Sequence, residues 1–110
     1  MRYSINMDTF TPKEQQVIAS IVEQACQMIE PESIYLFGSR ASHNAYENSD
    51  YDFAFEFDKK LQQKWVRFVL EAGEKAPTLL PLDLVNMNEI SPAFREKISQ
   101  QGKLVVKRNI

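Results

Sequence analysis

Two aspartates one residue apart, Asp50 and Asp52, are the part of this sequence best equipped for chemistry. Side chains alternate along a strand, so the two carboxylates are expected on one side, close enough to share a pair of cations. Such charges repel each other unless a cation lies between them. Magnesium takes hard oxygen ligands, commonly one or two carboxylates together with substrate phosphates, so the pair suits a metal–nucleotide complex. Two ions about 3.5 to 4 Å apart would activate an attacking oxygen and stabilise a leaving pyrophosphate. The plainer reading is a solvated strand face, since any half-exposed strand can carry acids on its wet side. Asp83 shifts the balance toward chemistry. It sits in Leu82-Asp83-Leu84-Val85, which reads as a mostly buried strand, and an ionised carboxylate there needs a counter-charge. The plainer account of Asp83 is a strand-end aspartate bonded to a neighbouring turn. Upstream, Gly38-Ser39 follows an apolar run. Glycine permits close backbone approach there, and successive N–H groups can cradle an anion. Alone, the pair reads as an ordinary turn; its meaning comes from its place just before the aspartates.

These residues need elements to hold them. Thr11-Pro12-Lys13-Glu14 supplies a capping threonine, a proline at the first helical position and a capping-box glutamate. From there Val17, Ile18, Ile21, Val22, Ala25, Met28 and Ile29 recur at helical spacing until Pro31 stops the pattern. Ile34 to Phe37 reads as a buried strand running into the Gly38 turn, and residues 40–49 read as a polar loop. From Asp50 to Phe57 the pattern alternates, with Tyr51, Phe53, Phe55 and Phe57 on one face. Leu61, Trp65, Phe68, Val69 and Ala72 mark a second amphipathic helix, closed near Gly73 and Pro77, and Leu79 to Met87 reads as a third strand. Ser91-Pro92 opens a last helix through Phe94 and Ile98, with Gly102 placed to cap its end. Leu104-Val105-Val106 is expected as an edge strand. The order α, β, β, α, β, α, β predicts an α/β or α+β domain, a small mixed sheet with helices packed on it.

The 110 residues fit one domain over positions 1–110, with 44% apolar and 25% charged residues, the balance of a globular protein. A formal charge of -2 argues against a domain whose main work is neutralising nucleic-acid phosphates. The single cysteine, Cys26, cannot form an internal disulfide, which fits a reducing cytoplasm. No apolar run approaches the roughly 20 residues needed to cross a bilayer, so no membrane partner is expected.

Leu36-Phe37-Gly38-Ser39-Arg40-Ala41, followed by Ser49-Asp50-Tyr51-Asp52-Phe53-Ala54, resembles the signature of the DNA polymerase beta-like nucleotidyltransferases, most closely their minimal (MNT) branch. The resemblance covers nearly the whole chain. It implies that Gly38 and Ser39 bind nucleotide phosphates, with Arg40 and Ser49 as further nucleotide contacts, and that Asp50, Asp52 and Asp83 form a catalytic, metal-binding triad. Members usually carry a glycine five residues after the first one and often a basic residue three further on; here those positions hold His43 and Tyr46. Asn44 is the residue expected to supply the left-handed conformation instead.

Members of the MNT branch pair as antitoxins with HEPN-family ribonuclease toxins, and some transfer AMP from ATP onto a tyrosine of the toxin. The resemblance therefore implies adenylyl transfer with Mg2+ and ATP, a HEPN-family toxin as partner, and a hetero-oligomer or homodimer. A second reading keeps the fold and drops the chemistry: an antitoxin that neutralises its partner by occlusion. A third, transfer to a small molecule such as an aminoglycoside, is disfavoured because those enzymes usually carry an added helical domain.

Other residues read more plainly. His43 is expected to be solvent-exposed and Cys26 to lie at the core boundary, while Trp65 and Phe68 fit a core stripe. Lys103, Lys107 and Arg108 read as a solvated tail.

Overall fold

The computed structural model describes residues 2–109. It contains strands β1 (Tyr3–Ile5), β2 (Ser33–Phe37), β3 (Tyr51–Glu56), β4 (Leu82–Asn86) and β5 (Lys103–Arg108), with helices α1 (Pro12–Met28), α2 (Gln62–Lys75) and α3 (Pro92–Gln101). The sheet order is β1-β5-β2-β3-β4. Among the described residues only the β3–β4 pair is parallel, joined through α2, and the other pairs are antiparallel. This is the mixed α+β domain that the sequence pattern predicts.

The N-terminus of α1 forms as its residues dictate. The Glu14 N–H donates to Thr11 Oγ1 at 3.2 Å while the Thr11 N–H donates to Glu14 Oε1 at 3.0 Å, a complete capping box. The apolar stripe of α1 buries Val17, Ile18, Ile21, Val22 and Ala25 against one face of the sheet. Helix α2 adds Trp65, Phe68 and Ala72 to the same layer. Tyr51, Phe53, Phe55 and Phe57 supply the sheet side of this core, with Phe55 edge-on to both Trp65 and Phe68. The opposite face is thinner: α3 covers it by packing Ile98 against Ala54 and Met87. Arg95 fixes that helix, donating to the Met87 carbonyl at 2.9 Å and pairing with Glu56 on β3.

Four expectations are corrected. β5 is interior, flanked by β1 and β2, because the short strand β1 pairs with its outer side. Lys103, Lys107 and Arg108 therefore stand on a strand instead of in a tail. Gly73 lies within α2, where a Cβ would meet nothing within 4 Å, and the helix ends at Lys75, with Ala76 as its cap before Pro77. β4 forms an edge of the sheet, which leaves Asp83 exposed.

Candidate functional site

The phosphate-turn candidates and two of the acids meet at one row of the sheet. Phe37 on β2 is the register partner of Asp52 on β3, and Asp52 is the partner of Asp83 on β4. Neighbouring strands lie about 4.8 Å apart and register partners share a face, so the Asp52 and Asp83 carboxylates stand side by side. They occupy the face that α3 covers, since Asp52 alternates with the core residues Tyr51 and Phe53. Asp50 lies just outside β3, in the segment leading into it, and is exposed. Its relation to Asp52 is therefore not the strand alternation expected.

Gly38 completes the row. It has φ 75, a left-handed conformation that disfavours side chains, and a Cβ there would lie 2.3 Å from Asp52 Oδ2. The glycine is what allows the turn backbone to sit directly against the carboxylate. The turn itself is a short 3-10 segment, Gly38–Arg40. The Gly38 carbonyl accepts from the Ala41 and Ser42 N–H groups, and the Ser39 carbonyl from the Asn44 N–H at 3.0 Å. Ser42 Oγ also donates to the Ser39 carbonyl at 3.2 Å.

Asp52 is half-buried. Burial pushes its carboxyl above the usual aspartate range, and the charges of Asp83 and Asp50 push it further the same way. Two carboxylates thus press on a third, a repulsion that a divalent cation would relieve, and an all-oxygen set is the kind magnesium prefers. Among the described residues, however, no three His, Cys, Asp or Glu side chains converge closely enough to hold an ion by themselves. Asp52 and Asp83 could supply only part of a coordination shell, and magnesium commonly takes its other ligands from water and phosphate.

Arg40 departs from its expected position. It is neither a solvated loop cation nor turned out toward a ligand: it is 6% exposed, and every guanidinium nitrogen has a partner inside the protein. Nη1 donates to Glu14 Oε2 at 3.0 Å, Nη2 to the Ser49 carbonyl at 2.7 Å and the Glu47 carbonyl at 3.3 Å, and Nε to the Ser49 carbonyl at 3.2 Å. Its guanidinium carbon lies 4.0 Å from the Tyr51 ring centroid, a cation–π contact. Ser49 belongs to the same bracing: its carbonyl serves Arg40, and its hydroxyl accepts from the Tyr46 N–H at 2.9 Å. The pair fixes the segment that leads into Asp50.

His43 is exposed, as expected, but it takes the left-handed conformation itself, with φ 60, while Asn44 does not. Histidine is among the residues that tolerate this region best. The loop thus keeps at position 43 the shape a glycine would give. The sequence pattern did not single out the exposed face of α3. Phe94, Lys97 and Gln101 line a cleft beside Gly38, yet Phe94 reads in sequence as one more apolar residue at helical spacing.

Residues 16–110 match the family model of polymerase beta, nucleotidyltransferase. No curated protein sequence is significantly similar to the chain. Solved structures share the fold. One is a toxin–antitoxin with AMP-PNP, 24% identical, with a TM-score of 0.57 over 78% of this chain and 69% of that one. A mutant form of the toxin–antitoxin MntA–HpeT is 22% identical, with a TM-score of 0.54 over the same shares. A candidate minimal nucleotidyltransferase is 18% identical, with a TM-score of 0.62 over 86% of this chain and 96% of that one.

Proposed function

Because the chain belongs to the polymerase beta nucleotidyltransferase family, we propose that it transfers AMP from ATP, with Mg2+, onto a HEPN-family toxin that it thereby neutralises. The observation that carries this reading is the row of Gly38, Asp52 and Asp83, in which the turn's glycine abuts one carboxylate and a second stands beside it. The toxin–antitoxin neighbours, one of them with AMP-PNP, support the partner and the nucleotide.

In this reading Gly38 and Ser39 hold the phosphates through the turn backbone, while Asp50 and Asp52 hold magnesium. Bound there, magnesium would neutralise charge developing on the phosphates. The acceptor hydroxyl oxygen forms a bond to the α-phosphorus and the bond to pyrophosphate breaks, with the hydroxyl proton passing to the exposed Asp83 carboxylate. Catalysis then rests on positioning and electrostatics, as in other phosphoryl transfers. Arg40 and Ser49 act indirectly, by fixing the approach to Asp50.

A second reading, occlusion without transfer, draws on the absence of a self-sufficient three-carboxylate cluster among the described residues. The deciding experiment is transfer of labelled AMP onto the co-expressed toxin. Label that disappears in Asp50→Asn and in Asp52→Asn, with the complex intact, supports the enzyme. An unlabelled toxin held in a stable wild-type complex supports occlusion, and undiminished labelling by both variants overturns the assignment of the metal site.

A further inference from the structure

Gly38 belongs to two walls at once. One side of it abuts the Asp52 carboxylate, and it also lines a cavity of about 400 Å³ together with Phe37 and the α3 residues Phe94, Lys97 and Gln101. That volume lies within the roughly 300 to 1,000 Å³ typical of small-molecule sites. The larger cavity of the molecule, about 980 Å³ between residues 46–48 and 76–80, takes no wall from Gly38, Asp52 or Asp83. Of these two, the smaller is the one that Gly38 walls.

Its chemistry is specific. Phe94, Lys97 and Gln101 stand at three- and four-residue steps, so they share one face of α3, and Ile98, only 2% exposed, anchors the helix beside them. Phe94 is 38% exposed. Its ring stands 6.0 Å from that of Phe37 at 86°, so the two rings form an apolar corner next to the turn. Among the described residues Lys97 has no ion-pair partner and Gln101 no side-chain partner, although Gln100 beside it is bonded to Glu96. An aromatic face, an uncommitted ammonium and an uncommitted amide thus surround a space that opens on the turn.

We propose that this cavity receives the nucleoside of the nucleotide whose phosphates rest on the Gly38 turn, and that it favours a purine. The base stacks on Phe94, the Gln101 amide, which both donates and accepts, meets the base edge, and the Lys97 ammonium faces the ribose and phosphate oxygens. A purine presents more π surface to Phe94 than a pyrimidine does. The proposal rests on the nucleotidyl-transfer reading and adds to it the place and class of the base.

The test measures binding of Mg2+–ATP, Mg2+–CTP and Mg2+–tripolyphosphate to the full chain by calorimetry, in the wild type, Phe94→Ala, Phe94→Trp and Asp52→Asn. Tripolyphosphate carries the phosphates without a nucleoside. Phe94→Ala is expected to weaken ATP about tenfold, leave tripolyphosphate unchanged and erase the preference for ATP over CTP, while Phe94→Trp restores ATP binding. Asp52→Asn weakens all three ligands. Unchanged ATP affinity in Phe94→Ala, with ATP still sensitive to Asp52→Asn, overturns the nucleoside assignment and leaves the transfer reading standing. An equal loss of ATP and tripolyphosphate in Phe94→Ala overturns it as well, since a damaged fold or turn would act on both. Wild-type protein that binds neither ATP nor tripolyphosphate removes the underlying reading, and the nucleoside site with it.

Discussion

Alanine at position 38 would meet two obstacles of different kinds. The positive φ costs a residue with a Cβ roughly 1 to 2 kcal/mol, and the new methyl would occupy the space of Asp52 Oδ2. A carboxylate at the end of a side chain can swing aside, so the collision damages the site more than the fold. Gly38→Ala is therefore expected to unfold cooperatively with only that modest loss, yet to bind Mg2+–ATP as poorly as Asp52→Asn does. Chemical denaturation and calorimetry on the same sample check both halves. Wild-type affinity in the variant would show that Asp52 does not need to stand where it does.

Among the elements, the Glu14–Arg40 pair has the longest reach, since it ties the first turn of α1 to the loop that delivers Asp50. Burial pushes the Glu14 carboxyl up, but hydrogen bonds from the Thr11 backbone, the Arg40 guanidinium and the Thr11 hydroxyl outweigh it, and the net shift is downward from 4.5. A group whose folded value is lowered contributes stability that is fully present above its unfolded value and is lost as pH falls through the folded one. Glu14→Gln keeps a residue competent for the capping box but leaves Arg40 buried without its counter-charge. It should cost roughly 2 to 3 kcal/mol at pH 7 and flatten the loss of stability below pH 4.5, as thermal melts across pH 3 to 7 would show. An unaltered acid profile would mean that the pair is not what holds the loop.

The same elements mark what the sequence could reveal. α1 was legible because its capping box, proline and apolar stripe are all local, and β3 because four aromatics alternate without a break from Tyr51 to Phe57. The family motif placed Gly38, Asp52 and Asp83 in order along the chain, and the sheet register brings them together. β1 went unread: three residues carry no period, and their partner lies about 100 positions away. Leu82-Asp83-Leu84-Val85 reads as buried because an apolar run does not encode where its strand falls in the sheet. The burial of Arg40 depends on Glu14, 26 residues earlier, and no local pattern carries that distance. Phe94 has the same helical spacing whether it fills a core or rims a cavity.

For the molecule as a whole, sheet order matters more than any single contact. The site row spans β2, β3 and β4, which follow one another in sequence, whereas β5 comes last among the described strands and inserts between β1 and β2. Removing residues 103–110 should leave β1 without a partner and β2 with an open, apolar edge, a template for pairing with other chains. Size-exclusion chromatography is expected to show that shortened chain as high-mass aggregate, and a monodisperse monomer would indicate that the sheet closes by another route. A ribosome releases residues in order, so the segment bearing all three acids emerges while the strand that must flank β2 is still held inside the ribosome. Each newly made molecule therefore passes through a period as an unfinished sheet with one sticky side, during which a neighbouring nascent chain competes with its own β5 for the same backbone.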